Sequence, residues 1–319
     1  MTDVTLAVDA GQTEVRAALY PIDREGGPRT GVGPGVRRMD SAAVGPDTVA
    51  GAVLDAVDEL GPFDGPPGGI GLGLSGFEIA ADAELRRIAE ILREHIGPAP
   101  VAIATDGVTS LLGALDGRPG AVVAAGTGTV AMAWDGRRWA KVDGTGSVLG
   151  DAGSGFAIGR AGLDSALRLH DGRGGSEALA QAAQDRFGPL NQLPRNISQA
   201  DPPTRAVAAF AADVARVAAE GDPTAQEILA AAGRELALSG CAALDRVFEA
   251  GRSATLSCTG NVFRAGAALT EPFAAAVEEH RPGTRVQAAA GGSLDGAALL
   301  ATRSEDLPPA AGVLWRAAA

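Results

Sequence analysis

Aspartates that end apolar runs, and glycine-rich loops that follow such runs, are the residues of this chain whose types and spacing suit chemistry. Asp9 follows "TLAV", Asp106 follows "VAIAT" and Asp151 stands in "LGDAGSGF". Glycine-rich loops lie at 11–13, 126–129, 259–261 and 291–293. Glycine lets a loop reach positive φ and brings backbone N–H groups close to an oxyanion. A carboxylate at a strand end beside such groups is a place to hold a cation or a phosphate. Together the two sets point to phosphoryl transfer, in which the protein mainly positions groups and a metal ion offsets charge. Helix capping is the competing reading of Asp106 and Asp151, because aspartate is a favoured N-cap.

Other chemistries fail on their residues. Lys141, the sole lysine, lies in "RRWAKVDG", which leaves no Walker A loop and no kinase-type V-A-I-K strand. "GLSGF" and "AGSGF" miss the G-x-S-x-G elbow, and "GTGTVA" precedes a strand pattern where a dinucleotide fold needs a helix. Cys241 and Cys258 match no metal or redox spacing, and His95, His170 and His280 are scattered singly. They read as structural thiols in a reducing compartment. A net charge of −12 and a pI near 4.8 disfavour a nucleic-acid or anionic-membrane surface, and no apolar run is long enough to span a bilayer. With no signal-like start either, a cytoplasmic protein is expected.

The elements that must position these residues are legible as periodicity. "VTLAVDA", "VRAALY", "GIGLGLSG" and "VAIATD" read as strands, with helices at about 47–60, 82–95 and 107–115. Further on, "AVVAAGTG", "VAMAW", "RWAKVD", "ATLSCTG" and "RVQAAAGG" read as strands and a last helix begins at Ser293. A long helical stretch at about 151–250 is broken at "RFGPLNQLPRN" and "DPPT", and the tail "SEDLPPAAGVLWRAAA" reads as irregular, with Leu314 and Trp315 as packing anchors. "AGQTEVRAAL" at 10–19 recurs as "AGTGTVAMAW" at 125–134, each copy following one strand and preceding another. A duplicated α/β domain follows, each copy a mixed sheet with helices, and 319 residues suffice for both cores.

With "DAGQT", "AGTGT", "LSG" at 74–76, "TDG" at 105–107, "LGDAGSGFAIG", "CTGNV" and "AAGGSLDGAALLA" in this order, the chain resembles the N-acetylglucosamine kinases. These belong to the sugar kinase, Hsp70 and actin superfamily, in the branch shared with the BadF/BadG/BcrA/BcrD ATPases. The resemblance implies a two-lobed, ribonuclease H-like (actin-like ATPase) α/β fold of duplicated domains with a central cleft. One lobe would hold residues 1–112 plus 291–319, the other 113–290 with a helical insertion. It implies ATP and Mg²⁺ as cofactors, with Asp9 orienting the metal and its water shell and Asp106 as general base. Gly11, Gln12, Thr13, Thr127, Gly128, Gly260, Asn261, Gly291 and Gly292 would border the nucleotide. Asp40, Ser75, Gly76, Asp106, Thr127 and Asp151 would face the sugar.

The chain departs from the family pattern at Gln12 and Glu14, where the first loop usually has a third glycine and a basic residue, and at Thr145 and Ser147, where a G-G-W-G segment carries an aromatic. The expected reaction is phosphorylation of D-glucosamine at its 6-hydroxyl, with N-acetylglucosamine as the alternative substrate and a homodimer as the implied assembly. An iron–sulfur activase of the same branch would need a C-G-x-C context that neither cysteine has. A non-catalytic nucleotide- or sugar-binding actin-like protein would have no use for a base at Asp106.

Overall fold

The computed structural model describes residues 4–12, 14–21, 27–36, 45–77, 80–310 and 312–318. Two compact units divide the chain, one of residues 1–119, 134–139 and 289–319, the other of 120–133 and 140–288.

In the first unit, β1 (Val4–Ala10), β2 (Glu14–Pro21) and β3 (Arg29–Pro34) form an antiparallel meander. After α1 (Pro46–Asp58), β4 (Ile70–Leu74) pairs parallel to β1. After α2 (Asp82–Ile96), β5 (Val101–Thr105) pairs parallel to β4. The chain continues into α3 (Asp106–Ala114) and returns late as α11 (Ser293–Arg303) and β11 (Leu314–Ala317). Strand β1 is buried on both faces, as a central strand flanked by helices must be. Leu6 and Val8 join Val53, Ile88 and Leu92 of α1 and α2, whereas Ala7 meets Ala297 and Ala298 of α11. The second face is lined with small residues because α11 lies against it closely: a Cβ on Gly71 would stand 2.0 Å from the Ala297 carbonyl oxygen.

The second unit repeats the plan with β6 (Gly120–Ala125), β7 (Thr129–Trp134), β8 (Trp139–Asp143), β9 (Thr255–Thr259) and β10 (Arg285–Ala288). Its sheet order, β10-β9-β6-β7-β8, matches β5-β4-β1-β2-β3 of the first, with β6 parallel to β9 and β9 to β10. The duplicated α/β architecture expected from the recurring hairpin is therefore present. Between β8 and β9 run α4 (Gly155–His170), α5 (Glu177–Phe187), α6 (Leu193–Ser198), α7 (Pro203–Ala209), α8 (Ala211–Ala219) and α9 (Pro223–Asp245), and α10 (Ala267–His280) joins β9 to β10. Phe210 between α7 and α8, Val214 of α8 and Leu229 and Leu236 of α9 share one core with Val123 and Leu256 of the sheet.

Two sequence expectations need correction. The strand β3 went unread, because "RTGVGP" contributes one buried residue, Gly31, and shows no apolar alternation. The tail is not irregular throughout: Leu314–Ala317 pair antiparallel with β5, Leu314 is buried, and the Trp315 indole donates to Asp82 Oδ1 at 2.6 Å. Four residues are too short for a periodic signal, and only the exposed edge of β5 makes them a strand.

Candidate functional site

The strand order of the first unit brings three predicted positions side by side. Asp9 lies at the carboxyl end of β1, Ser75 follows β4 and Asp106 follows β5, and these are neighbouring parallel strands. Strand ends of this kind are where open α/β sheets bind ligands. Ser75 N–H donates to the Ala10 carbonyl at 3.1 Å, and Ser75 Oγ donates to Asp106 Oδ2 at 2.5 Å. Gly76 then turns the chain with φ 82°.

Asp106 is the first residue of α3, but Thr105 is the cap, accepting from Val108 N–H at 3.3 Å. The capping reading of Asp106 is thereby corrected. The residue stands half-buried at the start of α3.

Asp9 stands opposite Arg16 in the β1–β2 register. Its Oδ2 accepts from the Arg16 guanidinium and from Ser293 Oγ, the latter at 2.7 Å. Ser293 opens α11, just after Gly291 and Gly292, and the Gly292 N–H is taken by Asp295 Oδ2 at 2.7 Å. Sequence reasoning missed Arg16, and it placed Ser293 in the loop at 291–293 without pairing it with Asp9. The hairpin held a signal for Arg16, since Asp9 and Arg16 are equidistant from its turn. The pairing of Ser293 with Asp9 had none, the two being 284 residues apart in the chain. Of the first loop, Gln12 is exposed and Gly11 N–H is spent on the Glu14 carbonyl at 3.1 Å. The turn uses this donor to close. Thr13 and Asp40 lie outside the described residues.

In the second unit the corresponding loop is pinned by the start of α4. Gly155 N–H donates to the Gly126 carbonyl at 2.8 Å and Phe156 N–H to the Thr127 carbonyl at 3.1 Å, while Gly126 N–H is spent on Gly128. Thr127 is exposed. Asp151 does not cap α4, contrary to the capping reading; Ser154 does, accepting from Ala157 N–H at 3.2 Å. Asp151 instead takes left-handed backbone, φ 58°, and packs its carboxylate on Gly128, where a Cβ would come within 2.7 Å of Oδ2.

Asp143, a further residue that sequence reasoning passed over, fixes this turn. Its carboxylate accepts from the N–H groups of Gly144, Asp151 and Ala152 at 2.9, 2.7 and 2.9 Å. Burial raises the Asp151 pKa above its ordinary value of 3.8; the Thr129 and Gly146 N–H groups act against this, and the Asp143 charge adds to it. At the end of β9, Gly260 has φ 100°, and a Cβ there would lie 2.1 Å from the Ala125 carbonyl oxygen. Only glycine fits that position. Asn261, next to it, is exposed.

As a metal ligand Asp9 fits a hydrated Mg²⁺. It is a hard oxygen donor, 14% exposed, and Mg²⁺ takes one or two carboxylates while keeping several waters. Among the described residues no group of three or more His, Cys, Asp and Glu side chains is gathered for a metal. Burial pushes the Cys258 thiol up to about 12 and Cys241 to about 11, so both remain protonated, as structural thiols do.

The model of the BadF/BadG/BcrA/BcrD ATPase family matches residues 6–301. The chain belongs to this family. Its relatives include the N-acetylmuramic acid/N-acetylglucosamine kinase of Clostridium acetobutylicum, 25% identical over 79% of this chain and 83% of that protein. Among solved structures, a candidate N-acetylglucosamine kinase from Chromobacterium violaceum is 26% identical, with a TM-score of 0.70, over 94% of this chain and 99% of the other. A ROK family glucokinase from Streptomyces griseus, solved with glucose and AMPPNP, shares the fold at a TM-score of 0.61 and 19% identity, over 94% and 99%. The family match runs through both units, from β1 to α11, so it takes in each predicted strand-end loop. Among the described residues, no helix of this family member is long and apolar enough to cross a membrane.

Proposed function

We propose that the protein is an ATP-dependent sugar kinase that phosphorylates the 6-hydroxyl of D-glucosamine. The observation that carries this reading is Asp106: a half-buried residue at the carboxyl end of a parallel strand, its carboxylate accepting from Ser75 Oγ at 2.5 Å beside the end of the β1 strand that carries Asp9. In the reaction Asp106 accepts the hydroxyl proton as the sugar oxygen attacks the terminal phosphorus of ATP. The new O–P bond forms, the bond to the bridging oxygen breaks, and ADP leaves. Ser75 fixes the rotamer of the base. Asp151, held against Gly128, accepts hydrogen bonds from sugar hydroxyls. Gly11, Gln12, Thr127, Gly128, Gly260, Asn261, Gly291 and Gly292 border the nucleotide, and Thr13 is assigned to the same role. Asp9 would hold Mg²⁺, which when bound offsets phosphate charge. The kinase names of the relatives support the reaction class.

Replacing the base tests it. Asp106→Asn keeps size and most hydrogen bonds but cannot take a proton, so kcat should fall about 10²–10⁴-fold with the sugar KM little changed. Near-native turnover would remove Asp106 from the chemistry.

Within the substrate class, Asp40 favours the free amine. A carboxylate only accepts hydrogen bonds at neutral pH; glucosamine offers it an ammonium and so an ion pair, whereas an N-acetyl group offers one neutral amide N–H and adds bulk. With Thr145 and Ser147 in place of a pocket aromatic, an acetyl methyl also lacks a stacking partner. The names of the relatives make N-acetylglucosamine the competing substrate. We expect kcat/KM to favour glucosamine by roughly a hundredfold, and Asp40→Asn to narrow that gap. Steady-state kinetics on both sugars decides it, and an unmodified enzyme that prefers N-acetylglucosamine would refute the choice.

A further inference from the structure

Asp143 has no part in the reaction just described, yet its carboxylate is committed to the backbone that carries Asp151. Oδ1 accepts from the N–H groups of Gly144 and Asp151, and Oδ2 accepts from that of Ala152. Asp151 closes the same turn from its other end, its carboxylate accepting from the N–H groups of Gly146 and of Thr129, the first residue of β7. Both aspartates stand in left-handed backbone, Asp143 at φ 61° and Asp151 at φ 58°. A connection that only had to turn would place glycine at such points, and glycine already stands between them at 144, 146 and 150. A larger residue held there points to a side chain that the position needs. Gly150 completes the fit, since a Cβ on it would lie 2.0 Å from Thr145 Oγ1 and 2.6 Å from Asp143 Oδ1.

We propose that Asp143 is a positioning residue for sugar recognition: it acts through Asp151, fixing the backbone that carries that carboxylate, and sets sugar affinity without touching sugar or nucleotide. This rests on the kinase reading above, with Asp151 as the group that accepts from sugar hydroxyls. The two carboxylates differ in what they have left for a ligand. Asp143 commits three of its roughly four acceptor sites to the backbone, whereas Asp151 commits two and packs on Gly128. Electrostatics do not explain why Asp143 is there, because its charge works against an ionised Asp151. Its backbone contacts do explain it: without them nothing but the Thr129 and Gly146 N–H groups would orient the Asp151 carboxylate.

The test is steady-state kinetics of the full chain, with ATP and the preferred of the two amino sugars each varied. The variants are Asp143→Gly, Asp143→Asn, Asp151→Asn, and Asp143→Gly combined with Asp151→Asn. Glycine keeps the left-handed backbone and removes the carboxylate, so the sugar KM should rise about 10- to 100-fold while kcat and the ATP KM stay within about threefold. Asparagine keeps one acceptor oxygen and should fall between. In the Asp151→Asn background the change to glycine should add less than about twofold, because a residue that acts through Asp151 then has nothing to position. If Asp143→Gly proves unstable on heating, Asp143→Asn carries the same comparison. A sugar KM within about twofold of native in the Asp143 variants, an equal rise in both KM values, or a fully additive double variant would overturn the role of Asp143 and leave the kinase reading standing. A native sugar KM in Asp151→Asn would remove Asp151 from the sugar site and this inference with it. A native chain that phosphorylates neither sugar would overturn the kinase reading itself.

Discussion

Asp151 takes left-handed backbone with its carboxylate largely withdrawn from water, and burial, with Asp143 adding to it, raises its pKa. A carboxyl whose folded pKa is raised adds stability that is complete below 3.8 and is lost as pH climbs through the folded value. Ionised, Asp151 is a charge that its fold disfavours, which the sugar-binding role proposed for it would account for. Asp151→Asn should raise the sugar KM strongly. In thermal unfolding it should compare best with the native protein at pH 7 and worst near pH 4, where the native carboxyl regains its proton. A stability difference that is flat across this window would assign the raised pKa no role in folding.

At the scale of elements, helix starts in the second unit are coupled through side chains. Asp222 caps α9, accepting from Ala225 N–H at 2.8 Å, and its other oxygen accepts from Ser176 Oγ at 2.7 Å. Ser176 in turn caps α5, accepting from Leu179 N–H at 3.0 Å. Asp222→Ala removes one cap and frees the hydroxyl that serves as the other. A loss of about 1–2 kcal/mol is expected, read from denaturant unfolding, with kcat/KM within about twofold of native. Asp106 and Asp151 contrast with this: each sits at a helix start, and each leaves the capping to a neighbouring hydroxyl.

At the scale of the whole molecule, the sugar should control ATP consumption. Two-unit kinases of this reaction class must exclude water while the phosphate meets its acceptor, so ATP hydrolysis without sugar should run orders of magnitude below the rate with glucosamine. The measurement is phosphate release against ADP release, with and without sugar. Sugar-independent turnover as fast as the coupled rate would remove the kinase reading. Gel filtration with light scattering tests the proposed homodimer directly.

The duplicated plan was legible in the sequence, because a strand–turn–strand unit repeats at 10–19 and 125–134 and apolar periodicity survives any arrangement of the units. The aspartates at the ends of β1 and β5 were legible for the same reason: a charge closing an apolar run marks the point where a buried strand reaches water. Caps were not legible, since Thr105 and Asp106, or Asp151 and Ser154, are equally plausible on propensity and only the backbone path decides between them. Nor was the pairing of Ser293 with Asp9, made by the packing of α11 against β1 from the far end of the chain. Asp143 gave no sign either, because a carboxylate that gathers three backbone N–H groups is defined by the turn it folds, not by the residues next to it in sequence. Periodicity is local and reads from the chain alone. Partnership across hundreds of residues exists only once the strands and helices within a unit have packed together.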